Sequence, residues 1–145
     1  MRPIKLKIKG LNSFVEEQTI DFEKLTKQGF FGIFGPTGSG KSTILDGMIL
    51  ALYGMKAMSR GTNEFVNKNC KSAQVSYEFQ ITAAQVKRYR VEREFKAGEK
   101  GTKSGKCRLL DVTDGEAVLE ESVTGVDLAC VETVSYTHLT LPTKR

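Results

Sequence analysis

Eight consecutive residues, Gly35-Pro36-Thr37-Gly38-Ser39-Gly40-Lys41-Ser42, carry the densest chemical information in this chain of 145 residues. They fit the pattern G-x-x-x-x-G-K-[ST] at every fixed position. Glycines without a Cβ let the backbone curl until successive N–H groups converge on an anion, with no side chain in the way. When such a loop opens a helix, it adds the helix's free N–H groups and the positive end of its dipole. Lys41 has the reach to meet β- and γ-phosphates, and the Ser42 hydroxyl can ligate Mg²⁺. These types at this spacing describe a nucleotide-phosphate site with Mg²⁺ beside the phosphates. Gly35, Pro36, Thr37, Gly38, Ser39, Gly40, Lys41, Ser42 and the following Thr43 are its binding residues, Lys41 its catalytic cation and Ser42 its metal ligand.

Such a loop needs a strand to deliver it and a helix to receive it. Phe30-Phe31-Gly32-Ile33-Phe34 is apolar on both faces and stops at Gly35-Pro36, which predicts a central strand covered on both sides. Ile44, Leu45, Met48, Ile49 and Leu52 form one broad apolar stripe and predict a helix from about Ser42 to Tyr53, ended by Gly54. Upstream, Ile4, Leu6 and Ile8 alternate with Lys5, Lys7 and Lys9, the period of a half-buried strand. Gln18 to Phe22 reads as a second short strand with Ile20 and Phe22 inward.

Beyond the helix, Lys56 to Ser72 reads as a loop. Val75, Tyr77, Phe79 and Ile81, then Tyr89, Val91 and Phe95, predict a hairpin turning around Thr82–Gln85. Lys96 to Lys106 is rich in glycine and lysine and reads as a connection. Cys107–Val112 and Ala117–Leu119 predict another strand pair around the turn dipeptide Asp114-Gly115, and a helix is expected from Ser122 onward.

Composition bounds the rest. With 39% hydrophobic and 27% charged residues, the chain suits one soluble domain. No run approaches the roughly 20 apolar residues of a membrane span. The amino terminus alternates charged and apolar residues and has no signal-peptide core. Cys70, Cys107 and Cys130 are odd in number and widely spaced, which indicates neither a disulfide scaffold nor a metal knuckle. A cytoplasmic location with no membrane partner is the expectation.

The net charge of +5 is unevenly spread. Val86–Arg108 holds nine Lys/Arg against three Glu, whereas Leu109–Thr143 holds seven acids and no Lys or Arg. Either a polyanionic partner or a solvated lysine-rich hairpin accounts for this distribution.

Several phosphate-loop classes drop out. A guanine reader needs an NKxD string, and Asn67-Lys68-Asn69-Cys70 lacks the Asp. Small-molecule kinases usually open directly on the loop's strand, whereas two strands and a turn come first here. The strand-like Cys107-Arg108-Leu109-Leu110-Asp111 ends in an acid but is half polar, so it reads as an exposed antiparallel strand rather than a carrier of a metal-polarising carboxylate.

Lys9-Gly10-Leu11-Asn12-Ser13-Phe14, Thr19-Ile20-Asp21-Phe22, the run from Gly29 through the phosphate loop to Leu45-Asp46-Gly47, and Ala51-Leu52-Tyr53-Gly54 together resemble the opening of the SbcC family. That family lies in the SMC-like branch of ABC-type ATPases. The resemblance is dense over residues 1–54 and continues more loosely to about Thr133. It implies an α/β fold, the amino-terminal half of an ABC/SMC-type P-loop ATPase head with an antiparallel β subdomain.

It also implies a DNA repair and recombination function, with ATP binding and hydrolysis coupled to double-strand DNA end processing. The implied partners are the second lobe of the same chain, an SbcD-type nuclease subunit, a head-to-head homodimer and double-stranded DNA. Family members outside SbcC often carry an arginine in the first turn. This chain has Leu11-Asn12-Ser13 there, so no arginine role is carried over. The family's coiled coil, zinc-hook CxxC, signature motif, Walker B acid and Q-loop glutamine are absent from these 145 residues.

Residues 1–133 are therefore expected to be a partial ATPase lobe. Val134–Thr143 does not continue the pattern and reads as the translation of a transposon-end sequencing adapter, which makes 134–145 a non-native tail. His138, the single histidine, falls in it and is assigned no chemistry. Alone, the chain is expected to bind phosphate without turnover. The alternative is the ATPase lobe of an ABC transporter, which would require a Q-loop and helical subdomain in the next stretch.

Overall fold

The computed structural model of the chain describes residues 1–55 and 65–122. Alternation makes Arg2–Lys9 a strand, β1, whose Ile4, Leu6 and Ile8 are buried while Lys7 and Lys9 are exposed. After a polar turn the chain returns as β2, Gln18–Asp21, antiparallel to β1 with Ile20 opposite Leu6. Asp21 then ends the strand by capping: its side chain accepts the Lys24 N–H at 3.2 Å and starts a single helical turn, α1, Phe22–Leu25. Phe22 is thus buried as expected, but as the first residue of a helical turn rather than the end of a strand.

Four strands follow the phosphate-loop helix: β3, Ser72–Thr82; β4, Val86–Gly98; β5, Gly101–Asp111; and β6, Ala117–Ser122. They join one six-stranded sheet of order β2-β1-β3-β4-β5-β6, with every pairing antiparallel. The first hairpin turns where the alternation predicts, between Thr82 and Val86.

The expected connection Lys96–Lys106 is instead strand on both sides of a two-residue turn at Glu99-Lys100. Lys96 pairs with Lys103, Ala97 with Thr102 and Gly98 with Gly101. Glycine and lysine score poorly as strand formers. Here the ladder already running between β4 and β5 propagates outward, and Gly101 at φ +110° takes the tight turn. The pair around Asp114-Gly115 forms as β5 and β6. Ser122 closes β6 as a strand residue, and the helix expected after it lies outside the described residues.

One face of the sheet is the core: Leu6, Ile8, Val75, Tyr77, Phe79, Val91, Phe95 and Leu109 are all buried there. On this face lies α2, Lys41–Tyr53, in contact with β1, β3 and β4. Its buried residues are Thr43, Gly47, Leu50, Ala51 and Leu52, of which Leu52 alone belongs to the aliphatic stripe. Two of the stripe's five residues face outward, with Leu45 58% exposed and Ile49 also exposed, while Ile44 and Met48 are half-buried against the core. The reason is close approach: a Cβ on Gly47 would lie 2.8 Å from the Ile8 Cδ1 atom, so the small residues turn toward the sheet. The opposite face is polar, carrying Lys5, Lys7, Glu78, Arg90, Glu92 and Arg108 around a concave space of about 660 Å³.

The predicted central strand at Phe30–Phe34 does not form. Phe30 is 86% exposed and Phe34 91%, and no described strand pairs with the segment. A strand apolar on both faces needs neighbours on both sides. The described sheet ends at β2 and β6 and supplies none. Among the described residues, Phe31 is the one member of the segment in a ring contact, with its centroid 5.5 Å from that of Phe22.

Candidate phosphate-binding site

The loop from Gly35 to Ser42 curls back on itself. Ser39 N–H donates to the Pro36 carbonyl at 3.2 Å, and Lys41 Nζ donates to the Gly35 carbonyl, closing a ring around the lysine. That bond uses one of the ammonium's three donors and leaves two for an anion. Gly40 sits at φ +94° as the residue before α2, where a Cβ would also meet the Phe14 ring at 2.6 Å. Both constraints require glycine there. Gly38, at φ +85°, faces open space.

The helix begins with no side-chain cap and no acid in its first turn, so its positive end is left for an outside anion. Ser42 is exposed, and its hydroxyl can serve a metal that takes its other ligands from phosphate and water, as Mg²⁺ usually does. No cluster of three acid, His or Cys ligands exists among the described residues. The residue types present, backbone N–H groups with one cation and one hydroxyl, fit a Mg²⁺-bound polyphosphate.

Thr43 differs from the other motif residues. It is buried and accepts a hydrogen bond from Asn12 Nδ2 at 3.2 Å. Asn12, at φ +49°, is the hub of the turn after β1. Its N–H donates to the Phe65 carbonyl at 2.8 Å, and its own carbonyl accepts from Asn67 Nδ2 at 2.6 Å. This turn and Phe14 brace the start of α2 from outside the motif. The sequence gives Asn12 no role, because its partners lie 31 and 55 positions away.

Arg93 is the other residue missed. It counts within the basic stretch yet is only 5% exposed, and it donates from Nε to the Ala51 carbonyl at 2.7 Å and from Nη2 to the Leu52 carbonyl at 3.3 Å. The available signal was phase: Arg93 falls on the same side of β4 as buried Val91 and Phe95.

The rest of the basic stretch divides in two. Arg88 pairs with Glu23 at 2.6 Å, Arg108 with Glu92 at 2.6 Å and Lys106 with Glu121 at 3.2 Å. Arg90 bonds Glu116 and Glu92. Burial works to lower the Arg90 pKa, but the Glu116 hydrogen bond and the charges of Glu92, Glu116 and Glu78 hold it above its ordinary value. Lys96, Lys100 and Lys103 make no ion pair among the described residues, and Lys96 and Lys103 stand directly opposite each other.

Asp111 holds a turn. Its carboxylate accepts the Thr113 N–H at 3.0 Å, and the Thr113 hydrogen bonds keep its pKa below the usual carboxylate value. Cys70 is partly exposed and Cys107 is buried. Cys130, His138 and the tail 134–145 lie outside the described residues.

A family model described as AAA domain matches residues 5–134. The SbcC subunit of nuclease SbcCD from Clostridium acetobutylicum is 52% identical over 137 residues, covering 92% of this chain and 12% of that protein. The Bacillus subtilis protein of the same name is 45% identical over 139 residues, 94% of this chain and 12% of that protein. That of Staphylococcus haemolyticus is 36% identical over 127 residues. The chain spans about 12% of the length of these curated relatives. The likeness carried most densely by residues 1–54 therefore runs on through the antiparallel strands. Matched from residue 5 to residue 134, the chain belongs to the AAA-domain family and is similar within it to SbcC proteins.

Proposed function

We propose that this chain is the ATP-binding lobe of a DNA repair ATPase, in which ATP binding and hydrolysis are coupled to double-strand end processing by a partner nuclease. The observation that carries the reading is the closed loop of Gly35–Ser42 feeding an uncapped, acid-free helix start. Backbone N–H groups of the loop and of Lys41 to Thr43 would hold the phosphates. Lys41 would offset charge on the β- and γ-phosphates, and Ser42 would ligate Mg²⁺. Bound MgATP would supply the hydrolysable phosphoryl bond. The Phe14 and Asn12 turn keeps the helix start in place for it.

In this reading residues 1–133 form part of an ATPase head, and 134–145 are foreign to it. The exposed Phe30, Phe34, Leu45 and Ile49 would be covered by a second lobe of the same protein, and two heads would pair across the nucleotide. An SbcD-type nuclease is the expected partner, as the relatives' names imply. Lys96, Lys100 and Lys103 would meet the phosphates of double-stranded DNA without reading sequence. A cytoplasmic location goes with that DNA role. No described helix is long and apolar enough to cross a membrane. The relatives are nuclease subunits, so the transporter alternative is not favoured.

Calorimetric titration of the chain with MgATP tests the reading. Lys41→Ala should lower affinity by about tenfold or more, the scale of one charge-assisted bond to phosphate, with the far-ultraviolet spectrum unchanged. Equal affinity in a folded variant would remove this loop from the assignment.

A further inference from the structure

The phosphate loop stands at one end of α2. At the other end, about 16 Å away for the eleven steps from Lys41 to Leu52, stands a buried arginine. The last four carbonyls of a helix have no partner inside it. Here the Leu50 carbonyl accepts from the Gly54 N–H at 3.0 Å, and the next two, Ala51 and Leu52, accept from the Arg93 guanidinium. The last turn of α2 carries no basic residue of its own. Arg93 comes from β4, where it pairs with Val75 of β3 and Cys107 of β5 in the middle of the sheet.

We propose that Arg93 is a positioning residue for the phosphate loop: its fork across two successive carbonyls fixes the rotation of α2 about its axis. Successive helical carbonyls lie about 100° apart around that axis, so a planar fork that binds both accepts one rotational setting. A point contact to a single carbonyl would allow the helix to turn. The N–H groups at the far end ride on the same rigid cylinder. A rotation of about 20° at a radius of about 2.3 Å moves them by about 0.8 Å, beyond the roughly 0.5 Å tolerance of a preorganised site. The inference rests on the nucleotide reading only for its affinity readout, since the rotational lock is a property of the helix itself.

The test compares the wild-type chain with Arg93→Lys and Arg93→Gln. Lysine keeps the charge at the helix end and loses the fork; glutamine keeps a neutral donor. Thermal melts first establish that each variant folds. If the fork sets the helix, MgATP affinity falls about tenfold or more in both variants, because misplaced N–H groups lose charge-assisted bonds to phosphate. Amide exchange at Ile44, whose N–H makes the helix's first bond to the Gly40 carbonyl at 3.3 Å, should speed up while β3 amides stay protected. Full affinity and unchanged Ile44 exchange in folded Arg93→Lys would overturn the proposal, leaving charge as all that the site requires. If the wild type binds no MgATP, the nucleotide reading fails and Ile44 exchange alone decides: acceleration in both variants upholds the lock, and no change overturns it. Should one variant not fold, the other decides by the same two measurements.

Discussion

Lys41 and Ser42 are adjacent, yet they ask for different ligands. In the proposed reading Lys41 would offset phosphate charge whether or not a metal is present, whereas the exposed Ser42 hydroxyl would matter only through Mg²⁺. Ser42→Ala should therefore weaken MgATP binding by severalfold and leave metal-free ATP binding nearly unchanged, a difference that paired titrations with and without chelator will read. Asp111 gives a second residue-scale expectation. Its folded-state pKa is lowered, chiefly by the Thr113 hydrogen bonds, so its contribution is fully present above the unfolded carboxyl value near 4. That contribution is lost as pH falls through the lower folded value. Urea midpoints of wild type and Asp111→Asn should differ at neutral pH and converge in acid. The motif residues were legible because one contiguous string carries all their chemistry. Asn12 and Arg93 were not, because each acts on a helix brought to it only by the sheet.

Among the elements, strands with one wet face were readable to within a few residues, as β1 and β3 are, because alternation records burial directly. Two segments misled for opposite reasons. Lys96–Lys106 has a loop's composition, but its backbone continues the β4–β5 ladder, shifted by one residue from the register of Val91 opposite Leu109 at a bulge between Arg93 and Phe95. Phe30–Phe34 has a core strand's composition but lacks the neighbours that would make it one. The aliphatic stripe of α2 was right about the helix and wrong about Leu45 and Ile49, since close packing against Ile8 selects Gly47. Close approach also governs the end of β1. Gly10 stands at φ +69°, and a Cβ there would lie 2.4 Å from the Ser72 carbonyl oxygen. Backbone cannot yield as a side-chain tip can, so Gly10→Ala should cost about 1–3 kcal/mol in urea unfolding. A smaller loss would mean that β1 and β3 part more easily than their register implies.

For the whole molecule, charge and incompleteness make separate predictions. Lys96 and Lys103 face each other across the outer hairpin, an arrangement of like charges that an added polyanion would relieve. Reversing Lys96, Lys100 and Lys103 to glutamate should weaken duplex DNA binding and flatten its salt dependence by about 0.9 unit of slope for each phosphate no longer neutralised. Unchanged affinity and slope would leave these lysines as a solvated tip. The chain alone should show no ATP turnover, because turnover needs a polarising acid and a positioned water beside the loop, which in the proposed reading a second lobe and a paired head would supply, and a steady-state phosphate assay checks this. The exposed passage Phe30–Phe34 carries one more consequence. It joins β1 and β2 to the rest without contributing a rung to the ladder, while β1 is held by β3 through seven residue pairs. A chain severed after Phe34 should thus reassemble from residues 1–34 and 35–145 produced separately. The protein is in effect a two-piece kit, in which a tagged short piece retrieves the long one by completing its sheet.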